Sequence, residues 1–151
     1  MGHFILNRFN GQEVFSFATG SITVTRNGNK FSLWLSVECE GDPVKVLPDT
    51  EELNACPSAE LAAEIDSLKR VDDLKINILQ SYDEELEDYV TGMYYCEHQD
   101  LDNNVVEIKR INDSLFNVNW TCTTMDVNYY DGSKPDTKIE ITGEFVLDIR
   151  T

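Results

Sequence analysis

Apolar and polar positions alternate along most of this chain. From residue 31 onward, Phe31, Leu33, Leu35, Val37 and Cys39 fall on one side of an extended backbone, with mostly polar residues on the other. That period of two marks a half-buried strand. Residues 21–26 alternate in the same way, and the intervening Asn27-Gly28 supplies the positive φ angles of a tight hairpin turn. A further strand is expected around 13–17, and another where Leu74, Ile76 and Ile78 alternate. The C-terminal half reads as a meander, with strands over 90–98, 105–111 and 115–127 and turns at 100–104 and 112–114. After a loop at 131–136, the last strand places Ile139, Ile141, Phe145, Leu147 and Ile149 on one face, with Gly143 in register and marking a bulge or bend.

One segment reads differently. Pro43, Pro48 and Pro57 punctuate a long loop at 40–57. Beyond it Leu61, Ile65 and Leu68 recur at helical spacing, with Ala62 beside them. Pro57-Ser58 suits a helix start, and Lys69-Arg70 suits the negative end of a helix dipole. The spacing predicts one substantial helix near residues 58–70. The expected fold is therefore mainly β (α+β): an antiparallel β-sandwich or barrel-like meander with that helix, in a single domain over 1–151. No internal repeat or low-complexity linker divides the chain.

Composition changes the picture through charge. The chain of 151 residues carries 28 acidic and 12 basic residues, a formal net charge of −16. Such a surface repels phosphate backbones and anionic lipid, which excludes nucleic acid and membrane surfaces as expected partners. It favours a basic protein partner, or simply solubility. The excess is uneven: residues 51–110 hold 16 acids against 5 bases, a net of −11. Its peak is Asp83, Glu84, Glu85, Glu87 and Asp88, interleaved with Tyr82, Leu86 and Tyr89. Tyr129 and Tyr130, next to Asp126 and Asp131, form a second, smaller pairing of aromatic and acidic residues. Aromatic side chains anchor an interface and charges steer the encounter, so both segments are candidate binding surfaces. The competing reading of the acidic run is a solvated loop or helical turn that only keeps the protein soluble.

Chemistry-bearing motifs are sparse. Cys39, Cys56, Cys96 and Cys122 form no C-x-x-C pair, and three of them fall within alternating runs, so reduced, buried thiols are expected rather than a disulfide or a zinc site. Of the two histidines, His3 lies near a chain end expected to fray, and His98 shares a strand face with Cys96 without a supporting catalytic signature. His98, Asp100 and Asp102 alternate and project to one side, but a turn explains these residue types better than a metal does, and the EF-hand glycine and glutamate are missing. No glycine-rich phosphate loop or nucleophile elbow occurs, so no cofactor is expected and the chain reads as non-enzymatic. The first residues lack the basic and apolar stretches of a signal peptide, which makes the cytoplasm the expected location.

In size, acidity and lack of a catalytic motif, the chain resembles small bacterial immunity proteins, with the segment from Asp83 to Asp88 and its flanking tyrosines carrying the likeness. That resemblance implies a non-catalytic acidic protein-binding domain that neutralises a basic toxin or nuclease. An acidic mimic of DNA is a further reading of the binding class. Type III secretion chaperones are also small and acidic but look more helical. The rival class is a small-ligand-binding β-barrel, or an enzyme of unrecognised type, with Trp34 and Trp120 lining a pocket. A large interior cavity favours that class, whereas a filled interior beneath an acidic, aromatic surface favours protein binding.

Overall fold

The period-two segments become strands, and nearly all of them join one sheet. The computed structural model describes residues 1–53, 56–129 and 131–150. In chain order the strands are β1 (Gly2–Arg8), β2 (Gly11–Phe17), β3 (Gly20–Asn27), β4 (Lys30–Glu38), β5 (Ser58–Ile65), β6 (Asp73–Ile78), β7 (Tyr82–Asp83), β8 (Asp88–Tyr89), β9 (Thr91–Tyr95), β10 (Glu97–Gln99), β11 (Asp102–Arg110), β12 (Leu115–Thr124) and β13 (Thr137–Arg150). Eleven of them form a single sheet, nine along the path β10-β9-β5-β4-β3-β13-β12-β11-β6 with β1 and β2 branching off β13, while β7 and β8 make a separate hairpin. The sheet curls into a half-barrel. Every pairing is antiparallel except that of β13 with β3.

The long strand β13 is the hinge of this arrangement. One edge pairs with β12 from Thr124↔Thr137 to Leu115↔Val146. The other edge is shared: residues 138–142 pair with β1, and residues 145–150 pair with β3. Gly143 sits at the changeover. The register with β12 continues through it, so no bulge forms there. Glycine is required because a Cβ would come within 2.7 Å of the Gly2 Cα. The fork lets the two halves of the sheet cover one core. Phe4 and Leu6 of β1, Phe15 and Phe17 of β2, Leu33 and Leu35 of β4, and Phe145 of β13 are all buried in it. Trp120 is fully buried as well, and its indole N–H donates to Asn104 Oδ1 at 3.0 Å. The same Asn104 amide donates to the carbonyls of Leu101 and Ile78, so this one contact ties β12, β11 and β6 together. Burying each large side chain stabilises the fold by roughly 1.5–3 kcal/mol.

The expected helix is absent. Residues 58–65 are β5, and only a short 3₁₀ turn, Leu68–Asp72, follows. The physical reason is a coincidence of spacing. Leu61 and Ile65 lie four apart, which satisfies a helical face, but Ala59, Leu61, Ala63 and Ile65 also alternate and turn inward in β5. A full antiparallel ladder with β4, from Phe31↔Ile65 to Glu38↔Ser58, then outweighs a weak local propensity.

Two smaller differences follow from backbone geometry. The run at 90–98 is two strands: the chain folds back at Cys96, whose φ is 65°, and β10 pairs with β9 through Glu97↔Tyr95. The N-terminus does not fray, because β1 is held between β2 and β13. The β3–β4 turn consists of Gly28 and Asn29, between the partners Asn27 and Lys30, one residue later than expected.

Candidate functional site

The acidic run lies on the hairpin formed by β7 and β8. Tyr82 pairs with Tyr89 and Asp83 with Asp88, so residues 84–87 form the tip. Asp83 Oδ1 accepts from the backbone N–H groups of Glu85 and Leu86 at 2.9 and 3.1 Å, an aspartate turn that starts the reversal. Glu87 completes it with φ of 53°. Strand pairing brings the two tyrosine rings edge to face, with centroids 5.1 Å apart. Both rings are exposed, Tyr89 at 60%, and Leu86 at the tip is 67% exposed. Among the described residues, no ion pair engages Asp83, Glu84, Glu85, Glu87 or Asp88. The hairpin thus carries carboxylates without ion-pair partners among the described residues, between an exposed tyrosine pair at its base and an exposed leucine at its tip.

Beside it runs a cleft of about 680 Å³, open to solvent. Ala62, Ala63 and Glu64 of β5, Ile76, Ile78 and Leu79 at and just beyond β6, and Asp83, Glu85 and Leu86 of the hairpin line it. Leu79 is 71% exposed at its mouth. The cleft lies outside the core, whose centre is filled by Trp120, Phe116 and Phe145. Trp34, in contrast, stands exposed on the outer face of β4, opposite Ala62 of β5.

The second aromatic pairing lies in different surroundings. Tyr129 is half-buried and packs edge to face on Phe9 at 5.4 Å, and the Lys134 ammonium sits over both rings. Its neighbour Asp126 is buried and hydrogen-bonded to Arg8. Tyr130 lies outside the described residues. Asp131 accepts a hydrogen bond from the Ser133 backbone N–H, which lowers its pKa.

Sequence reasoning missed the charge cluster around Arg8. Its guanidinium grips Asp126 through Nε and Nη2 at 2.9 and 2.8 Å, and Asp49 through Nη1 and Nη2 at 2.8 and 2.7 Å. Nη1 also donates to Glu13 Oε2 at 2.9 Å. The remaining acceptors are satisfied by the hydroxyls of Thr50 and Tyr95 on Glu13, and of Thr137 on Asp126. Burial alone would disfavour each of these charges. For Arg8 the hydrogen bonds to Asp126 and Asp49 prevail and its pKa rises. For Asp126 burial is likewise outweighed, by Arg8 and Thr137, and its carboxyl is held below the usual range. Asp49 is lowered chiefly by the hydrogen bond from Arg8. Burial, and then the Glu13 charge, raise the Tyr95 phenol. The cluster pins β1, β2 and β9 to the loops carrying Asp49 and Asp126.

The sparse nucleophiles are placed unfavourably for attack. All four cysteines are free, and Cys39 and Cys122 are buried. Burial pushes the Cys39 thiol up to about 12 and raises those of Cys96 and Cys122 as well, which suppresses the thiolate that reacts. The turn at Cys96 separates it from the strand that carries His98, whose ring packs edge to face against Tyr94 with centroids 4.9 Å apart. Asp100 has its carboxyl raised, first by burial and then by the Asp102 charge. Among the described residues no group of three or more His, Cys, Asp or Glu side chains is placed to hold a metal ion.

No protein-family model, curated protein or solved structure matches this chain.

Proposed function

We propose that this protein is a non-catalytic binding domain that docks a basic protein partner on the β7–β8 hairpin, in the manner of an inhibitor that neutralises a basic toxin or nuclease. One observation carries the reading: the Tyr82–Tyr89 pair at the base and Leu86 at the tip stand exposed on the same hairpin as five carboxylates, none of which has an ion-pair partner among the described residues. An exposed apolar anchor beside charge of one sign is suited to a partner surface of the opposite sign. A charged loop serving solubility alone has no need of an exposed, edge-to-face pair of aromatic rings at its base. The filled centre of the core weighs against a small-ligand barrel, and the raised thiol pKa values weigh against cysteine chemistry.

The test is capture of a basic protein from the source organism on immobilised protein, compared with two variants. Glu84→Gln/Glu85→Gln/Glu87→Gln removes three charges and keeps side-chain size. Tyr89→Ala removes one anchor ring. The reading expects one basic protein to be retained by the wild type and released as salt rises, with weaker retention by both variants. Equal retention by all three proteins sinks it.

A further inference from the structure

The cleft beside the hairpin is bounded by two sheet edges that face each other without pairing. Strands β5 and β6 are consecutive in the chain, and the sheet order makes them antiparallel, yet no hydrogen-bonded ladder joins them. On its outer edge β5 pairs with β9 only from Ser58↔Tyr94 to Leu61↔Thr91. One more bond, from the Ala62 N–H to the Val90 carbonyl at 2.7 Å, ends that contact. Successive residues of a strand point their backbone groups to alternate edges, so Glu64 directs its N–H and C=O the same way as Ala62, into the gap. Strand β6 pairs only with β11, which leaves its whole outer edge open among the described residues. The 3₁₀ turn lies between them in the chain, and its Val71 is buried in the core. The gap continues as a second cleft of about 300 Å³ that shares Ala63, Glu64 and Ile76 with the first.

We infer that this slot receives an extended, basic segment of the partner as an added strand. The inference rests on the acidic-docking reading for the charge of the occupant; the open edges are a separate observation. An unpaired edge is a template for another strand, with main-chain hydrogen bonds giving affinity and alternate side chains giving specificity. Here the alternation is set by the walls. Side chains pointing inward meet the half-buried Leu74 and Ile78. Those pointing outward meet Glu64, Asp66, Asp83 and Glu85, against one lining cation among the described residues, Lys75. Glu64 is shared with Lys30 at 3.1 Å, and Lys75 lies 4.0 Å from Glu107, both exposed pairs that a partner's lysine or arginine can displace. The complementary segment therefore alternates apolar and basic residues. A second copy of this chain fits poorly, because it carries −16 and presents Asp73 on its own β6 edge.

The probe is a short synthetic peptide alternating lysine and valine, compared with the same peptide N-methylated on every second backbone nitrogen. Methylation removes main-chain donors and keeps the charge. Binding is read by amide chemical shifts and hydrogen exchange, and the assembly state by sedimentation. The expected result is slowed exchange at the Glu64 amide and along β6, with affinity falling about tenfold or more on methylation, the scale of one or two lost hydrogen bonds. Relative to Glu64→Gln, which removes only the carboxylate, Glu64→Pro also deletes an outward N–H at an edge and should further weaken the unmethylated peptide alone. Equal binding of both peptides overturns strand addition and leaves the acidic hairpin as a purely electrostatic dock. No binding of either peptide, or slowed exchange that arises from dimerisation of the protein alone, overturns the inference too. The double variant Glu84→Gln/Glu87→Gln tests the docking reading separately, because neither residue lines the slot and neither substitution alters the backbone of β5 or β6.

Discussion

Two acidic regions of this molecule obey opposite rules. Around Arg8, three carboxylates share one guanidinium at 2.7–2.9 Å, with the Arg8, Glu13 and Asp126 side chains fully shielded from water. On the β7–β8 hairpin, five carboxylates within six residues have no ion-pair partner among the described residues, and all but the half-buried Asp83 are exposed. The first group is costly to disturb, because removing one partner strands the others as buried, uncompensated charge. The second group costs the fold little, since exposed charges are screened by water and salt. Charge that holds the protein together is thus paired and hidden, while charge free to act on a partner is unpaired and displayed. Net charge alone does not separate the two.

The sharpest way to break this comparison is Arg8→Met. It leaves Glu13 and Asp126 buried without their cation, and the expected cost is about 3–5 kcal/mol. Denaturant unfolding checks it; a loss below about 1 kcal/mol would mean the cluster is dispensable, since even an ordinary substitution costs that much. Next comes acid. Asp49 and Asp126 have depressed pKa values when folded, so their contribution is fully present above the unfolded value of about 3.9 and is lost as pH falls through the folded values. Stability should hold from neutral pH down to about pH 5 and fall below it. Asp49→Asn should flatten that fall, and an unchanged slope contradicts the assignment. Smaller again, Tyr89→Ala should speed dissociation of the captured partner by about tenfold if the ring is an anchor worth more than 1 kcal/mol, with the association rate little changed. The smallest effect is on the stability of the triple Gln variant. Each exposed substitution should shift it by no more than about 0.5 kcal/mol, as read by the same denaturant titration.

The two regions were unequally legible in the sequence. The acidic hairpin announces itself as a run of charge, but the stacking of Tyr82 on Tyr89 depends on a reversal at 84–87 that charge does not encode. For the Arg8 cluster, parity was available. Phe4, Leu6 and Arg8 share one face of β1, and Glu13, Phe15 and Phe17 share one face of β2. What pattern cannot supply is the counter-charge, because Asp126 and Asp49 arrive from positions 118 and 41 residues away. The same limit explains the strand at 58–65. Leu61 and Ile65 fit both periods, and only the neighbouring β4 decides between them. Local alternation was enough for β3, β4, β6, β11, β12 and β13, whereas the parallel pairing of β13 with β3 is a long-range event that leaves no local trace.

The central claim is that the exposed acids act on a partner and the buried ones do not. Its most direct test is the association rate of the captured basic protein with the wild type and with Glu84→Gln/Glu85→Gln/Glu87→Gln, measured by stopped flow from low to high salt. The account predicts a wild-type rate that falls steeply as salt rises, a variant rate about tenfold slower at low salt, and convergence of the two once the charges are screened. An equal rate for both proteins at low salt contradicts it, and would leave the hairpin's carboxylates as a solubilising surface.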